Sequence, residues 1–405
     1  MSLQLVNDVK KLMVLAAGLL QIPVIKKARE KGLFVIAIDD DPKAPGMAFA
    51  NKAIVPGGLI DEEKILAIAR EEQIDGVIHP CSEVAMNVMG RINDELHLHG
   101  ISRETAVRAT NKHLMREAFE MHRVLSPMSF CTDNTDEGYK LYKSIKGKAI
   151  LKPSRNSGSR GIAELESGLS FEAFKPLFEW SKSESRDVSV MIEQFVEGPE
   201  FSVEIIIWNG MVKVLQVTDK KTTEAPYFVE LGHSQPSLFP KTVVDAVKEA
   251  AVKGVIALGL NDCAAHAEVK VQDGKPYIIE IGARLGGDFI STELTHLSTG
   301  IDMVAAAIDV AMGVEPNLEP VEEPRGVAIR YFTPIPGVVR EIKGEELLER
   351  SNVYDAKIYV KPGDVVRDVK SSLDRSGHVI VTAPTTDEAV KIAEEIVASV
   401  KIVTE

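Results

Sequence analysis

Between Lys11 and Asp39 the chain reads as strand, helix, strand: an apolar run from Leu12 to Ala16, a helical period from about Gln21 to Lys31, and a second apolar run from Phe34 to Ile38. Strands joined through a helix run parallel, and a parallel sheet must be covered on both faces. This unit therefore commits the start of the chain to an α/β architecture. Ile54 to Val55, the helical stretch Asp61 to Glu72 and the apolar Gly76 to His79 continue the alternation. The first domain is expected to close near Thr110. Gly18 stands alone in the first strand-to-helix turn, where a dinucleotide fingerprint wants three glycines, so the pattern does not point to a nicotinamide cofactor.

The 405 residues leave room for two to four folding units. Asn111 to Met121 is expected as an amphipathic helix capped by Thr110 or Asn111. Strand-like Met128 to Cys131, a helix over about Asp136 to Ile145 and the strand Ala149 to Lys152 make a small α+β lobe, followed by a loop of small residues from Ser154 to Gly161. Ser189 to Phe195, Phe201 to Trp208 and Met211 to Gln216 read as strands leading into a second lobe, whose best-marked hairpin runs from Ala264 to Gly282. A last segment has strands, turns at Pro336-Gly337 and Pro362-Gly363, and a closing helix from Thr386 to Val400. The expected divisions are 1–110, 111–195, 196–320 and 321–405.

A formal charge of −13 does not suit binding nucleic acid through its phosphates, which takes a basic surface. Cys81, Cys131 and Cys263 are odd in number, far apart and without CxxC spacing, so neither a disulfide framework nor a zinc site is indicated. Met1 to Lys11 holds no apolar core of signal-peptide length, and no later run has the length of a membrane span. The expectation is a soluble, cytoplasmic protein without a membrane partner.

Three stretches carry chemistry. Lys148-Ala-Ile-Leu-Lys152-Pro-Ser-Arg-Asn-Ser157-Gly158-Ser159-Arg160-Gly161 sets a lysine at a strand end ahead of a donor-rich loop that can wrap phosphates; a solvated surface loop is the plainer reading. No GKS or GKT follows the glycines, so it is not a Walker loop. Glu193-Gln194-Phe195-Val196-Glu-Gly198-Pro199-Glu200 reads as strand, turn, strand, a hinge that can offer backbone groups to an adenine edge and a carboxylate to ribose hydroxyls, or simply a hairpin with solvated acids. In His266-Ala-Glu268 through Tyr-Ile-Ile-Glu280-Ile-Gly282-Ala-Arg284, two glutamates interrupt β-rich runs, and carboxylates on facing strands suit a hard cation such as Mg²⁺. The alternative places both on the wet face of an edge hairpin.

Taken in order, the helix start at Lys112, Lys152 with its glycine loop, Glu193 and Glu200, then Glu268, Glu280 and Arg284, resemble the nucleotide site of the ATP-grasp superfamily. The resemblance covers most of the chain. It implies a Rossmann-like, parallel-sheet N-terminal domain, a two-lobed ATP-grasp fold and a small C-terminal α+β segment. By the same resemblance Lys112 and Lys152 contact phosphates together with Ser157, Gly158 and Ser159; Glu193 with Gln194 and Val196 holds adenine; and Glu200 holds ribose. Glu268 and Glu280 would bind Mg²⁺, or Mn²⁺ in its place, with Arg284 on the transferring phosphoryl group. Many members carry Asn two residues after the second metal glutamate, where this chain has Gly282, which puts a second metal ion in question; purine-pathway members also vary there. Within the superfamily the chain looks most like the L-amino-acid (dipeptide) ligases: Glu230-Leu-Gly-His233-Ser-Gln-Pro236 resembles their substrate stretch and Arg284-Leu-Gly-Gly287-Asp their acyl-phosphate region.

The resemblance implies an ATP-dependent ligase that activates a carboxylate as an acyl phosphate and joins it to an amine, with catalytic Lys152 and Arg284 and substrate contacts from Glu230, His233, Arg284 and Gly287. Glu230 and His233 are the candidate bases, and the loop from Ser154 to Gly161 is the candidate lid. The expected partners are small-molecule carboxylates and amines, acted on by a homodimer. Rival readings are a purine-pathway or carbamoyl-phosphate-synthase-like ligase and a nucleotide-binding module without turnover. The metal reading makes one geometric demand. Glu268 and Glu280 share a face only if the hairpin has a three-residue loop or a bulge, because a two-residue turn at Asp273-Gly274 alone puts them on opposite faces.

Overall fold

The computed structural model describes residues 9–156, 161–224 and 227–405. The N-terminal alternation becomes a four-stranded parallel sheet in the order Lys52–Ile54, Phe34–Ile38, Lys11–Leu15, Gly76–Ile78. Alternate residues of its central strand enter different cores: Leu12 and Val14 pack with Val24, Ile25 and Ala28 of the helix Ile22–Glu30, whereas Met13 and Leu15 pack with Ile65, Leu66 and Ala69 of the helix Glu62–Glu72. Both faces are thus covered, as parallel strands require.

Asn111 caps the helix Lys112–Met121, its side-chain oxygen accepting the N–H groups of His113 (2.9 Å) and Leu114 (3.1 Å). The cap fixes Lys112 in the first turn. Beyond it lies a small antiparallel sheet ordered Ser129–Thr132, Val190–Gln194, Ala149–Pro153, Ala163–Leu165, packed through Tyr142, Phe174 and Phe178 of the helices Thr135–Ser144 and Phe171–Ser183.

The large sheet has eight strands in the order Lys275–Gly282, Cys263–Gln272, Glu200–Trp208, Met211–Thr222, Glu230–Gln235, Gly326–Tyr331, Gly377–Ala383, Val353–Ile358, every neighbour antiparallel. Val247, Ala251 and Val255 of the helix Lys241–Leu258 pack on Phe201, Val203 and Ile205. Met303, Val304 and Ala307 of the helix Met303–Ala311 share a core with Ile206, Ala264 and the N-terminal strand residues Leu12 and Val14. A three-stranded sheet of Val365–Val366, Gly337–Lys343 and Lys401–Thr404 and the helix Thr386–Ser399 complete the C-terminal part. Among the described residues no helix is long and apolar enough to cross a membrane.

Candidate active site

A cleft lies between the small sheet and the large one. Lys152, Glu193 and Gln194 line it from the small sheet and Glu200, Glu230, Glu268 and Glu280 from the large one, with Lys112, Val196 and Arg284 beside them. These come from seven different segments of the chain, so only the fold brings them together.

The hairpin satisfies the demand made of it. Its turn has two residues, Asp273 (φ 51°) and Gly274 (φ 73°), both left-handed, with Gln272 paired to Lys275. This is the conformation that two-residue hairpin loops favour and that Asp-Gly accommodates. In that register Glu268 and Glu280 would diverge, but the ladder shifts between Glu268 and Val269: Val269 pairs with Ile278 and Glu268 with Glu280, leaving Ile279 as the extra residue of a bulge. The Ile279 carbonyl accepts a hydrogen bond from Arg116 Nη2 (2.8 Å). The two carboxylates therefore project from one face.

Every acid in the cleft is matched to a cation. Lys112 Nζ stands 2.9 Å from Glu280 Oε1 and Lys152 Nζ 3.0 Å from Glu193 Oε2. Lys220, almost wholly buried, reaches three acids: Glu200 at 2.5 Å, Glu268 at 3.3 Å and Glu230 at 3.8 Å. Arg284 Nη2 donates to Glu83 Oε1 (2.8 Å), 201 residues away in the N-terminal domain. Burial pushes the Glu268 carboxyl up, but Lys220 and His266 outweigh it and hold it well below the ordinary value. Glu280 moves the other way, raised by burial and by its acidic neighbours Glu83 and Glu268 against the pull of Lys112.

Glu193 was expected on adenine. It is completely buried, and its carboxylate pairs with Arg116 Nε (2.8 Å) as well as Lys152. Burial raises its carboxyl, yet the two cations outweigh this and hold it at about 2. Its acid group therefore orients Lys152, and Gln194 to Val196 line the cleft beside it. His233 does not reach the cleft lining: it shares a sheet face with its cross-strand partner Lys220, but Asp288 covers it, Nε2 lying 3.3 Å from Asp288 Oδ2, and Arg375 in turn grips Asp288 through both oxygens (2.6 and 2.8 Å). Gly287 also lies outside the lining, its carbonyl accepting the Ile290 N–H (2.9 Å). Ser157, Gly158 and Ser159 fall outside the described residues.

Four participants escaped the sequence reading: Glu83, Arg116, Lys220 and His266. Burial of the last is nearly complete, with Nδ1 donating to Glu204 Oε1 (2.5 Å) and Nε2 3.7 Å from Glu268 Oε1. Burial lowers the His266 pKa, but Glu204 outweighs it and raises the imidazole to about 9. Strand alternation held the one available signal, since His266 and Glu268 are two apart and so share a face.

The two hairpin glutamates fit a hard divalent cation. Mg²⁺ is commonly held by one or two carboxylates, with substrate phosphates and waters completing its shell, and here each carboxylate already faces a positive charge. Among the described residues no three His, Cys, Asp or Glu side chains stand as a ready cage.

Two family models match the chain: an ATP-grasp domain over residues 145–293 and the L-amino acid ligase C-terminal domain 2 over residues 330–405. The dapdiamide A synthase of Enterobacter agglomerans is 25% identical over 349 residues, 82% of this chain and 80% of that protein. The alanine–anticapsin ligase of Bacillus subtilis (strain 168) is 25% identical over 272 residues, 62% of this chain but only 57% of the relative's own length. Among solved structures, the L-amino acid ligase from Bacillus licheniformis shares the fold with a TM-score of 0.82 at 22% identity, over 98% of this chain and 99% of that one.

Proposed function

Since the chain carries an ATP-grasp domain followed by an L-amino acid ligase C-terminal domain, we propose that it is an ATP-dependent ligase that joins two amino acids, or similar small carboxylates and amines, through an acyl phosphate. The observation that carries this reading is the placement of Glu268 and Glu280 face to face, with Lys112, Lys152 and Arg284 around the same cleft.

A carboxylate resists attack by an amine because its carbonyl is electron-rich and oxide is a poor leaving group. Transfer of the terminal phosphoryl group of ATP to the carboxylate oxygen supplies a leaving group, with ADP released. The amine nitrogen then attacks the acyl carbon, phosphate departs, and the amide forms. Phosphoryl transfer asks the protein chiefly for positioning and charge neutralisation. Lys112 and Lys152 hold the phosphates, Lys152 being oriented by Glu193 and Arg116. The Gln194 to Val196 backbone holds adenine and Glu200 the ribose hydroxyls. Glu268 and Glu280 would hold Mg²⁺, which when bound neutralises phosphate charge. Arg284, kept in place by Glu83, steadies the acyl phosphate. Of the two candidate bases only Glu230 lies in the cleft, so it takes the proton of the substrate ammonium before the free amine attacks.

Incubation with ATP, Mg²⁺ and mixtures of L-amino acids, followed by ADP assay and mass spectrometry of the products, tests this reading. Amide products with matching ADP are expected. ADP formation that no pair of amino acids stimulates removes the amino-acid assignment.

A further inference from the structure

Building on the nucleotide and metal reading above, we infer that His266 is a third protein ligand of the divalent cation, binding through Nε2 beside Glu268 and Glu280. The residues form a two-by-two patch on the hairpin face: Glu268 opposite Glu280, and His266 opposite Gly282. Gly282 lines the cleft but has no side-chain donor, so on that rung only His266 can supply one.

The imidazole is held in the orientation a ligand needs. Nδ1 donates to Glu204, its cross-strand partner on the other side. The second Glu204 oxygen accepts from the Ser291 hydroxyl, and Ser291 Oγ accepts the N–H of Gly286 (2.6 Å). Gly286 closes over the ring, where a Cβ would come within 2.6 Å of Nδ1. Turning the ring over would break this chain of hydrogen bonds. Nε2 is consequently directed to the side of Glu268, 3.7 Å from Oε1. A histidine bound through one nitrogen, with the other on a carboxylate, is the usual arrangement at metal centres. A histidine that only cross-linked the strands would not need Nε2 beside a cleft carboxylate.

Coordination forms one Nε2–metal bond, and any Nε2 proton passes to solvent while Glu204 keeps its hydrogen bond from Nδ1. The cation takes the place of that proton between His266 Nε2 and Glu268. Lys220 and Lys112, now on Glu268 and Glu280, are released toward the phosphates. Because imidazole is a softer donor than carboxylate, a set that includes it shifts preference from Mg²⁺ toward Mn²⁺.

The test is pulsed electron paramagnetic resonance on the full chain with Mn²⁺ and ADP. Protein labelled with ¹⁵N-histidine is expected to show ¹⁵N coupling of a directly bound imidazole, replaced by ¹⁴N modulation in unlabelled protein and lost in His266→Gln. Glu204→Gln, which disturbs only the outer contact, is expected to weaken Mn²⁺ binding about 10–100-fold. Mn²⁺ that binds with ADP but shows no histidine coupling in the labelled wild-type protein overturns the inference and leaves the nucleotide reading standing. Failure of Mn²⁺ and ADP to bind at all overturns both, and neither result depends on a variant that folds.

Discussion

Glu280 stands directly across from Glu268 because Ile279 is squeezed out of the ladder between them. Because Glu280 would fill the slot of a deleted Ile279 and still face Glu268, the shared face is tested by removing the carboxylate itself with Glu280→Ala. The expected outcome is loss of Mg²⁺-dependent ADP binding by at least about tenfold with circular dichroism near that of wild type, read by calorimetry; about 1.4 kcal/mol corresponds to that factor. Glu280→Gln, which changes charge and almost no volume, should nearly abolish turnover. Undiminished Mg²⁺-dependent ADP affinity in Glu280→Ala would remove the metal assignment.

Lys152→Ala should raise the dissociation constant for ATP about 10–100-fold, the range of a hydrogen bond to a charged group, while leaving the fold intact. Arg116 still satisfies Glu193 in that variant. Calorimetry with a non-hydrolysable ATP analogue measures the effect, and wild-type affinity would show that Lys152 does not meet the phosphates.

The proposed acyl-phosphate route would cleave the terminal bond of ATP, so the expected phosphorus products are ADP and orthophosphate. Phosphorus NMR of a completed reaction reads this directly. AMP with pyrophosphate would mean adenylation instead.

Glu193 ties folding stability to pH. Its carboxyl is depressed from 4.5 to about 2 in the folded chain. A depressed acid contributes stability that is fully present above the unfolded value and is lost as pH falls through the folded one, here between about pH 5 and 2. The contribution at neutral pH is on the order of 3 kcal/mol. Urea denaturation of wild type and Glu193→Gln should give a wide gap at pH 7 that narrows toward pH 3. A gap that stays constant over that range counts against the buried ion triad.

Much of the site was legible because its chemistry follows local patterns. Asn111 announced a helix start and hence where Lys112 sits. The hairpin's need for a bulge followed from parity alone. What could not be read is what needs distant parts of the chain. Glu83 and Arg284 meet across 201 residues, and Lys220, within an ordinary run of Asp-Lys-Lys, becomes the shared cation of three acids only when four strands align. Several helices carried little local signal: Lys241–Leu258 begins at Pro240 with no side-chain cap, Phe171–Ser183 contains Pro176, and Met303–Ala311 is nearly all buried and lacks a polar face. The ion pair of Glu193 was hidden for a different reason, since an acid at a hinge looks the same in sequence whether it faces a ligand or a buried arginine.

The single eight-stranded sheet limits how this chain can be recombined with its relatives. The C-terminal family match begins at residue 330, inside the strand Gly326–Tyr331, whose Arg330 pairs with Gly232 on one side and Val379 on the other. A graft joined there would splice two halves of one ladder from different parents, so the exchanged piece should begin upstream of Gly326. Truncation upstream of Gly326 would bare Glu230–Gln235 as an edge open to a second copy. The tail that looks detachable in sequence is, in the sheet, the cover that keeps the strand Glu230–Gln235 from pairing with a neighbour.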